Sequence, residues 1–298
     1  MKNVIYTYYN ILLDEINKDG NNYFFYFNND LYIFYLVLND IKVVESVYKF
    51  IKENNVDSFE IILNKEGKLF CDVENKKYSL IKIKGILKYE IKFEEFKFYP
   101  VDSQPNNWAE LWSKRLDYYE IQLRELGYNY QTVLNSFGMF AGMAENAILY
   151  FNISKKKFND NEIVGVVHNR MNYPCYLIDY NNPLNFVIDY NVRDIAEYIK
   201  SYLLSDDYEI NNVLVLLDRL SVNNLMFNLL YSRLMYPTFY FDVFDKIILE
   251  DGKDSDIVGV LNVVDKYIEM LNKVYLTFKE KYNMLNVEWI NKIKNVEN

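Results

Sequence analysis

Residues 99–107 divide this chain into two stretches whose apolar patterns cannot belong to one kind of element. Tyr99-Pro100-Val101-Asp102-Ser103-Gln104-Pro105-Asn106-Asn107 is polar, carries two prolines and has no periodicity, as expected of a linker between domains. Ahead of it the apolar residues come in short bursts. Tyr23 to Phe27 and Leu31 to Leu38 flank Asn28-Asn29-Asp30, which predicts a hairpin. From Asp40, a candidate N-cap, Val43, Val44, Val47, Phe50 and Ile51 share a helical face. Phe59–Leu63, Lys68–Val73 and Tyr78–Ile83 read as three more strands, with turns at Lys65-Glu66-Gly67 and at Glu74 to Lys77. Residues 1–98 are thus expected to form a five-stranded sheet with one helix.

Beyond the linker, 108–298 reads as a larger helical domain. Trp108, Leu111, Trp112, Leu116, Tyr119, Leu123 and Leu126 keep three- and four-residue steps up to Gly127. Val133, Phe137, Phe140, Ala141, Ala144, Ile148 and Phe151 repeat the pattern, and Lys155-Lys156-Lys157 beside Asp160 and Glu162 reads as a solvated loop. Cys175–Ile178 and Asn185–Ile188, around Asn181-Asn182-Pro183, predict an internal hairpin. Further helices are expected from Val192, over 213–236 up to Pro237, and from Asp256 to Tyr282.

Composition excludes several chemistries. The single His, His168, rules out HExxH and paired-His metal sites. Cys71 and Cys175 lie too far apart for a CxxC motif, and the nine glycines spell neither GxGxxG nor GxxxxGK[ST]. With 33 Lys and Arg against 42 Asp and Glu, the charge of −9 speaks against nucleic acid as a partner. The longest apolar run, Leu31 to Leu38, is too short to span a membrane, and no leader segment is visible. A cytoplasmic setting is expected. The 29 tyrosines and 20 phenylalanines fit AT-rich codon usage, and a tyrosine-rich surface would suit partner contacts.

The order sheet with one helix, linker, helical domain with an internal hairpin resembles the bilobal protein kinase-like α+β fold. Phosphoryl transfer in that fold needs a glycine-rich lid, a strand-three Lys, a catalytic Asp after His, an Asn beyond it and a metal-binding Asp. Asp14 to Gly20 holds one Gly, and the Leu31–Leu38 strand has no Lys, so Glu45 on the next helix lacks the usual partner. Lys82 and Lys84, on a later strand, read as a solvated face. His168-Asn169-Arg170 falls where the catalytic loop opens, but Arg170 stands at the base position and Cys175 at the metal-binding Asn. Mg²⁺ prefers oxygen ligands to a thiol. His168 itself has two readings, a vestige of that loop or a buried histidine held by a hydrogen bond. Asp189 is either a remaining Mg²⁺ ligand or a cap for the next helix, and Asp194 suits that helix's first turn. Asp179 is a turn residue or a substitute base. Glu145, in the small-residue run Gly142 to Ile148, would be costly unless paired; Arg193 or Arg170 is the expected partner.

At these residues the chain resembles the YutH-type spore coat proteins of endospore-forming Firmicutes, relatives of CotS-like coat proteins and, more distantly, of aminoglycoside and choline phosphotransferases. The resemblance rests on Leu111 to Asp117, Gly142 to Ile148, His168-Asn169-Arg170, Asp189, Arg193 to Ile199, and Leu230 to Pro237 with Tyr240-Phe241. It implies a kinase-like fold, a place in the spore coat or in sporulation, and other coat proteins as partners. Members commonly lack the phosphotransferase motifs, so the expected function is that of a pseudokinase acting in assembly. The alternative is a small-molecule phosphotransferase using ATP and Mg²⁺, with Asp189 on the metal and Asp179 as base.

Overall fold

The computed structural model describes residues 1–37, 41–53, 55–56, 59–84, 89–249 and 252–287. In chain order the elements are α1 (Lys2–Tyr9), β1 (Asn17–Asp19), β2 (Asn22–Phe27), β3 (Asp30–Leu36), α2 (Ile41–Glu53), β4 (Phe59–Ile62), β5 (Cys71–Val73), β6 (Lys76–Ile83) and β7 (Tyr99–Pro100). There follow α3 (Trp108–Leu126), α4 (Gln131–Lys157), β8 (Val164–His168), α5 (Leu177–Tyr180), β9 (Phe186–Tyr190), α6 (Val192–Leu203), α7 (Ile210–Asp218), α8 (Asn224–Met235), α9 (Thr238–Leu249), α10 (Val258–Leu261) and α11 (Val264–Phe278). The chain forms two compact units. One joins Met1–Ser103 to Gly165–Asn169 and Pro174–Asp189; the other joins Gln104–Val164 and Arg170–Tyr173 to the chain from Tyr190 onward. The sequence-based division keeps everything beyond residue 107 together and so misses this return of the chain.

The first unit is built on an antiparallel sheet in the order β1-β2-β3-β6-β4, with β5 also pairing β6. The Asn28-Asn29 turn forms the expected hairpin with both residues at positive φ, 52° and 67°, the geometry that matches strand twist. Its other turns follow the same chemistry, with Gly67 (φ 74°) and Glu74-Asn75 (φ 49° and 64°) in the left-handed region. Strand β1 and helix α1 are additions to the expected elements; with β1 the sheet has six strands. Asp40 lies outside the described residues. A second sheet runs β7-β8-β9. There a Cβ on Gly165 would lie 2.3 Å from the Tyr99 carbonyl oxygen and 2.3 Å from the Phe98 ring, so only glycine allows β7 and β8 to pair this closely.

The predicted internal hairpin is corrected here. Cys175–Ile178 is not a strand: helix α5 begins at Leu177, and β9 pairs instead with β8. All five residues of β8 are buried, so the strand shows no alternation and reads as one apolar run.

The second unit is helical. Asn107 caps α3 by accepting a hydrogen bond from the Glu110 amide. Helix α4 runs through Lys155-Lys156-Lys157, which therefore form its last turn rather than a loop; there cations complement the helix dipole. Lys155 also pairs with Glu162. The helix expected over 213–236 is two helices: Asn223 accepts from the Met226 amide and starts α8 afresh. The 256–282 helix is likewise broken into α10 and α11. Every residue of α8 from Leu225 to Met235 is buried, which makes it the central rod of this unit. Tyrosines fill much of this core instead of the surface. Tyr119, Tyr231 and Tyr267 are fully buried, and their hydroxyls donate to the Asp245 carboxylate and to the Leu271 and Leu234 carbonyls, so burying the ring leaves no polar atom unpaired.

Candidate functional site

The residues that would carry kinase chemistry divide between the two units. In the first, His168 closes β8 with its ring buried. Its Nε2 lies 2.6 Å from the Tyr180 carbonyl oxygen; a carbonyl only accepts, so Nε2 carries the proton and donates it. Tyr180 and Phe186 pack on the ring at 4.6 and 4.9 Å. Asn169 is exposed, and its amide donates to the Asn185 carbonyl at 2.7 Å. Cys175 is buried, and its carbonyl accepts from the Ile91 amide. Asp179 sits exposed on α5. Asp189 is fully buried within β9. It does not occupy the cap of the next helix: the N-cap position of α6 is Asn191. Among the described residues no group of three or more His, Cys, Asp or Glu is placed to hold a metal ion.

The first unit also contains a cavity of about 630 Å³, between the β1–β2 turn, the end of β3, α2 and the stretch before β9. Its walls are mixed, with Val37, Val43, Val44 and Val47 among the aliphatic residues and Asn21, Asn22 and Asn169 supplying amides. Asp19 is the only charged residue among the described residues that line it. Lys82 does not reach it; it pairs with Asp30 at 2.6 Å, and Lys84 pairs with Glu60 at 2.8 Å.

In the second unit, Arg170 makes a two-point contact with Asp242, Nε to Oδ2 at 2.8 Å and Nη2 to Oδ1 at 2.7 Å. It also lies 3.8 Å from Glu197. Glu197, only 3% exposed, accepts from Lys200 Nζ at 2.8 Å and Arg233 Nε at 3.0 Å. Lys200 donates further to Thr238 Oγ1 at 2.7 Å and to the Arg233 carbonyl at 3.2 Å, which uses all three ammonium protons. Arg233 lies over Trp108 at 4.6 Å, and Trp112 stacks on Tyr236 at 4.4 Å. Burial opposes the charge on Glu197, yet Lys200, Arg233, Arg170 and Arg193 together hold its carboxyl below the ordinary range. Burial drives Lys200 down to about 7, Glu197 opposing and Arg233 adding to the fall. Burial also opposes the charge on Arg170, but Asp242 and Glu197 raise its pKa above its ordinary value.

The expectation for Glu145 is corrected by its exposure. Glu145 is exposed on α4, so the burial cost that called for a partner does not arise, and Arg170 has Asp242 and Glu197 in that role. Arg193 and Asp194 are buried in the first turn of α6. The sequence reading passes over Glu197, Lys200, Arg233 and Asp242 as interacting groups. The one local signal is Glu197 and Lys200, spaced one turn apart on the buried face of α6.

The chain's likeness to known proteins runs almost its full length. The curated relative "Endospore coat-associated protein YutH" of Bacillus subtilis (strain 168) is 25% identical over 269 residues, covering 78% of this chain and 79% of the relative. Among solved structures, an aminoglycoside phosphotransferase from Alicyclobacillus acidocaldarius superposes with a TM-score of 0.54 at 10% identity, over 95% of this chain and 96% of that one. Amicoumacin kinase hAmiN, solved in complex with AMP-PNP, Ca²⁺ and Ami, gives 0.51 at 10% identity, over 91% and 92%. These establish the kinase-like fold. No described helix is long and apolar enough to cross a membrane. Residues 2–280 match the family model described as "Spore coat putative kinase YutH", and the chain belongs to that spore coat family.

Proposed function

We propose that this protein is a degenerate kinase that acts as an assembly component of the spore coat, with other coat or sporulation proteins as partners. The observation that carries the reading is Arg170. At the position where the fold keeps its catalytic base stands a guanidinium, engaged by Asp242 and Glu197. A group so paired, with a pKa above its ordinary value, accepts no proton from a substrate hydroxyl. The residues present also do not fit Mg²⁺-ATP. β3 has no Lys, Cys175 replaces the oxygen ligand that Mg²⁺ prefers, and the cavity of the first unit offers a phosphate chain only the carboxylate of Asp19 among its described charges.

The second reading is a small-molecule phosphotransferase with divergent residues. It draws on Asp189, which keeps the strand position of a metal-binding Asp, and on Asp179 as base. A transfer assay separates the two. With radiolabelled ATP, Mg²⁺ and a panel of amino-sugar acceptors, the pseudokinase reading expects phosphate release and transfer at the level of the buffer blank. Release above the blank that disappears in Asp189→Ala would establish the second reading instead.

A further inference from the structure

The second unit carries another cavity, of about 200 Å³, walled by Tyr173, Tyr198 and Tyr202 with Ile199, Val213 and Leu216. It is smaller than the roughly 300–1,000 Å³ of sites for drug-sized ligands, so it suits one side chain or headgroup. The rings are set rigidly. Tyr173 meets Tyr198 edge-on at 5.7 Å and packs on Tyr202 at 4.6 Å. The Tyr202 hydroxyl donates to the Asp207 carbonyl at 2.7 Å and accepts from the Glu209 amide and Asn212 Nδ2, both at 3.0 Å. The Tyr173 amide donates to Ser201 Oγ at 2.8 Å.

Two observations define the chemistry this box takes. None of the described residues that line it is charged, while the loop that holds the Tyr202 hydroxyl presents the exposed carboxylates of Asp206, Asp207 and Glu209. The tyrosine cluster also already holds an ammonium elsewhere. Tyr202 packs on Tyr208 at 5.4 Å, and Lys266 Nζ lies 5.2 Å from the centre of the Tyr208 ring. Ring faces attract ammonium groups, and most strongly where water is partly excluded.

We propose that this box receives a lysine side chain from a partner protein, with the stem against Ile199, Val213 and Leu216 and the ammonium among the tyrosine rings, under the field of the acidic loop. The inference rests on the assembly role and gives that role a partner chemistry: a protein that presents exposed lysine.

The probe is the peptide acetyl-Gly-Lys-Gly-amide, titrated into the full chain and followed by the ring-proton NMR signals of the tyrosines. Its comparison is the same peptide with norleucine, which keeps the stem and lacks the ammonium. Saturable binding is expected, with the norleucine peptide weaker by roughly fivefold or more, the scale of a partly desolvated cation–π contact. Tyr198→Phe keeps the ring and is expected to keep binding within about twofold; Tyr198→Leu is expected to lose it to a degree similar to norleucine. Leu216→Trp fills the cavity while leaving all three rings, and is expected to abolish binding even if Tyr198→Leu proves unstable. Lack of saturation, equal binding of the norleucine peptide, or undiminished binding by Leu216→Trp overturns the proposal. None of these results bears on phosphate transfer, whose assay tests the pseudokinase reading separately.

Discussion

The cavity of the first unit and the charge cluster of the second are opposites. The first is about 630 Å³ of space with mixed aliphatic and amide walls and one described charge. The second packs Glu197, Lys200 and Arg233 into the interior, with Arg170 and Asp242 at its margin. In a working phosphotransferase, charges face the substrate, because stabilising the transferring phosphoryl group is most of the task. Here the Arg170 guanidinium, at the position expected for the base, is turned to Asp242 and Glu197, and the cavity of the first unit has one described charge. Under the proposed reading, the kinase-like frame is kept while the charges of the cluster serve the stability of one unit. If so, disturbing the cluster should be costly and disturbing the cavity nearly neutral.

The largest expected effect is that of Glu197→Gln. It leaves Lys200 and Arg233 buried without their carboxylate, and one-sided removal of a buried pair costs about 3–5 kcal/mol; urea denaturation reads it directly. Adding Lys200→Met should recover part of that loss, since removing both charges spares the stranded one. A full loss of about 3–5 kcal/mol that Lys200→Met does not relieve would break the comparison.

Next comes Tyr150→Phe. The Tyr150 hydroxyl donates to Asn228 Oδ1 at 2.6 Å and accepts from the Leu285 amide at 3.2 Å. Its removal strands the buried Asn228 and the half-buried Leu285 amide, at about 1–3 kcal/mol, again read by urea denaturation.

The pH dependence sharpens the same point. Lys200 titrates near 7 in the folded chain, against an ordinary value of 10.5. Between these values the unfolded chain binds more protons, so this residue makes stability rise with pH from about 7 toward 10.5. Lys200→Met should flatten that slope. Glu197, lowered by its cations from an ordinary 4.5, acts on the acid side: its contribution is present above that ordinary value and is lost as pH falls toward its folded one. The smallest effect is expected from Asp19→Asn at the cavity, within about 0.5 kcal/mol in either direction.

Much of the frame is legible in the sequence because it is written locally. The Asn28-Asn29 turn, the α2 face and the start of α3 at Trp108 follow from turn chemistry, period and the end of the linker. What is not legible has physical reasons. Strand β8 is buried on both faces and shows no alternation. The break between α7 and α8 contains neither Gly nor Pro and depends on the Asn223 cap. At the site, order and spacing single out His168, Arg170 and Asp189 as candidates, but they do not give the partners of Arg170. Glu197 and Asp242 reach it only through the packing of helices distant in sequence. The Glu145 expectation failed on phase: Ala141, Ala144 and Ala147 define the buried side of α4, and Glu145 faces away from it.

The central proposal is that Arg170, at the position expected for the base, is structural and that the chain does not bind Mg²⁺-ATP. Thermal unfolding of the full chain with rising Mg²⁺-ATP tests this most directly. Unchanged stability at every concentration is predicted. A saturating gain, of about 2.7 kcal/mol at one hundred times the Kd, that Asp189→Ala removes would contradict it.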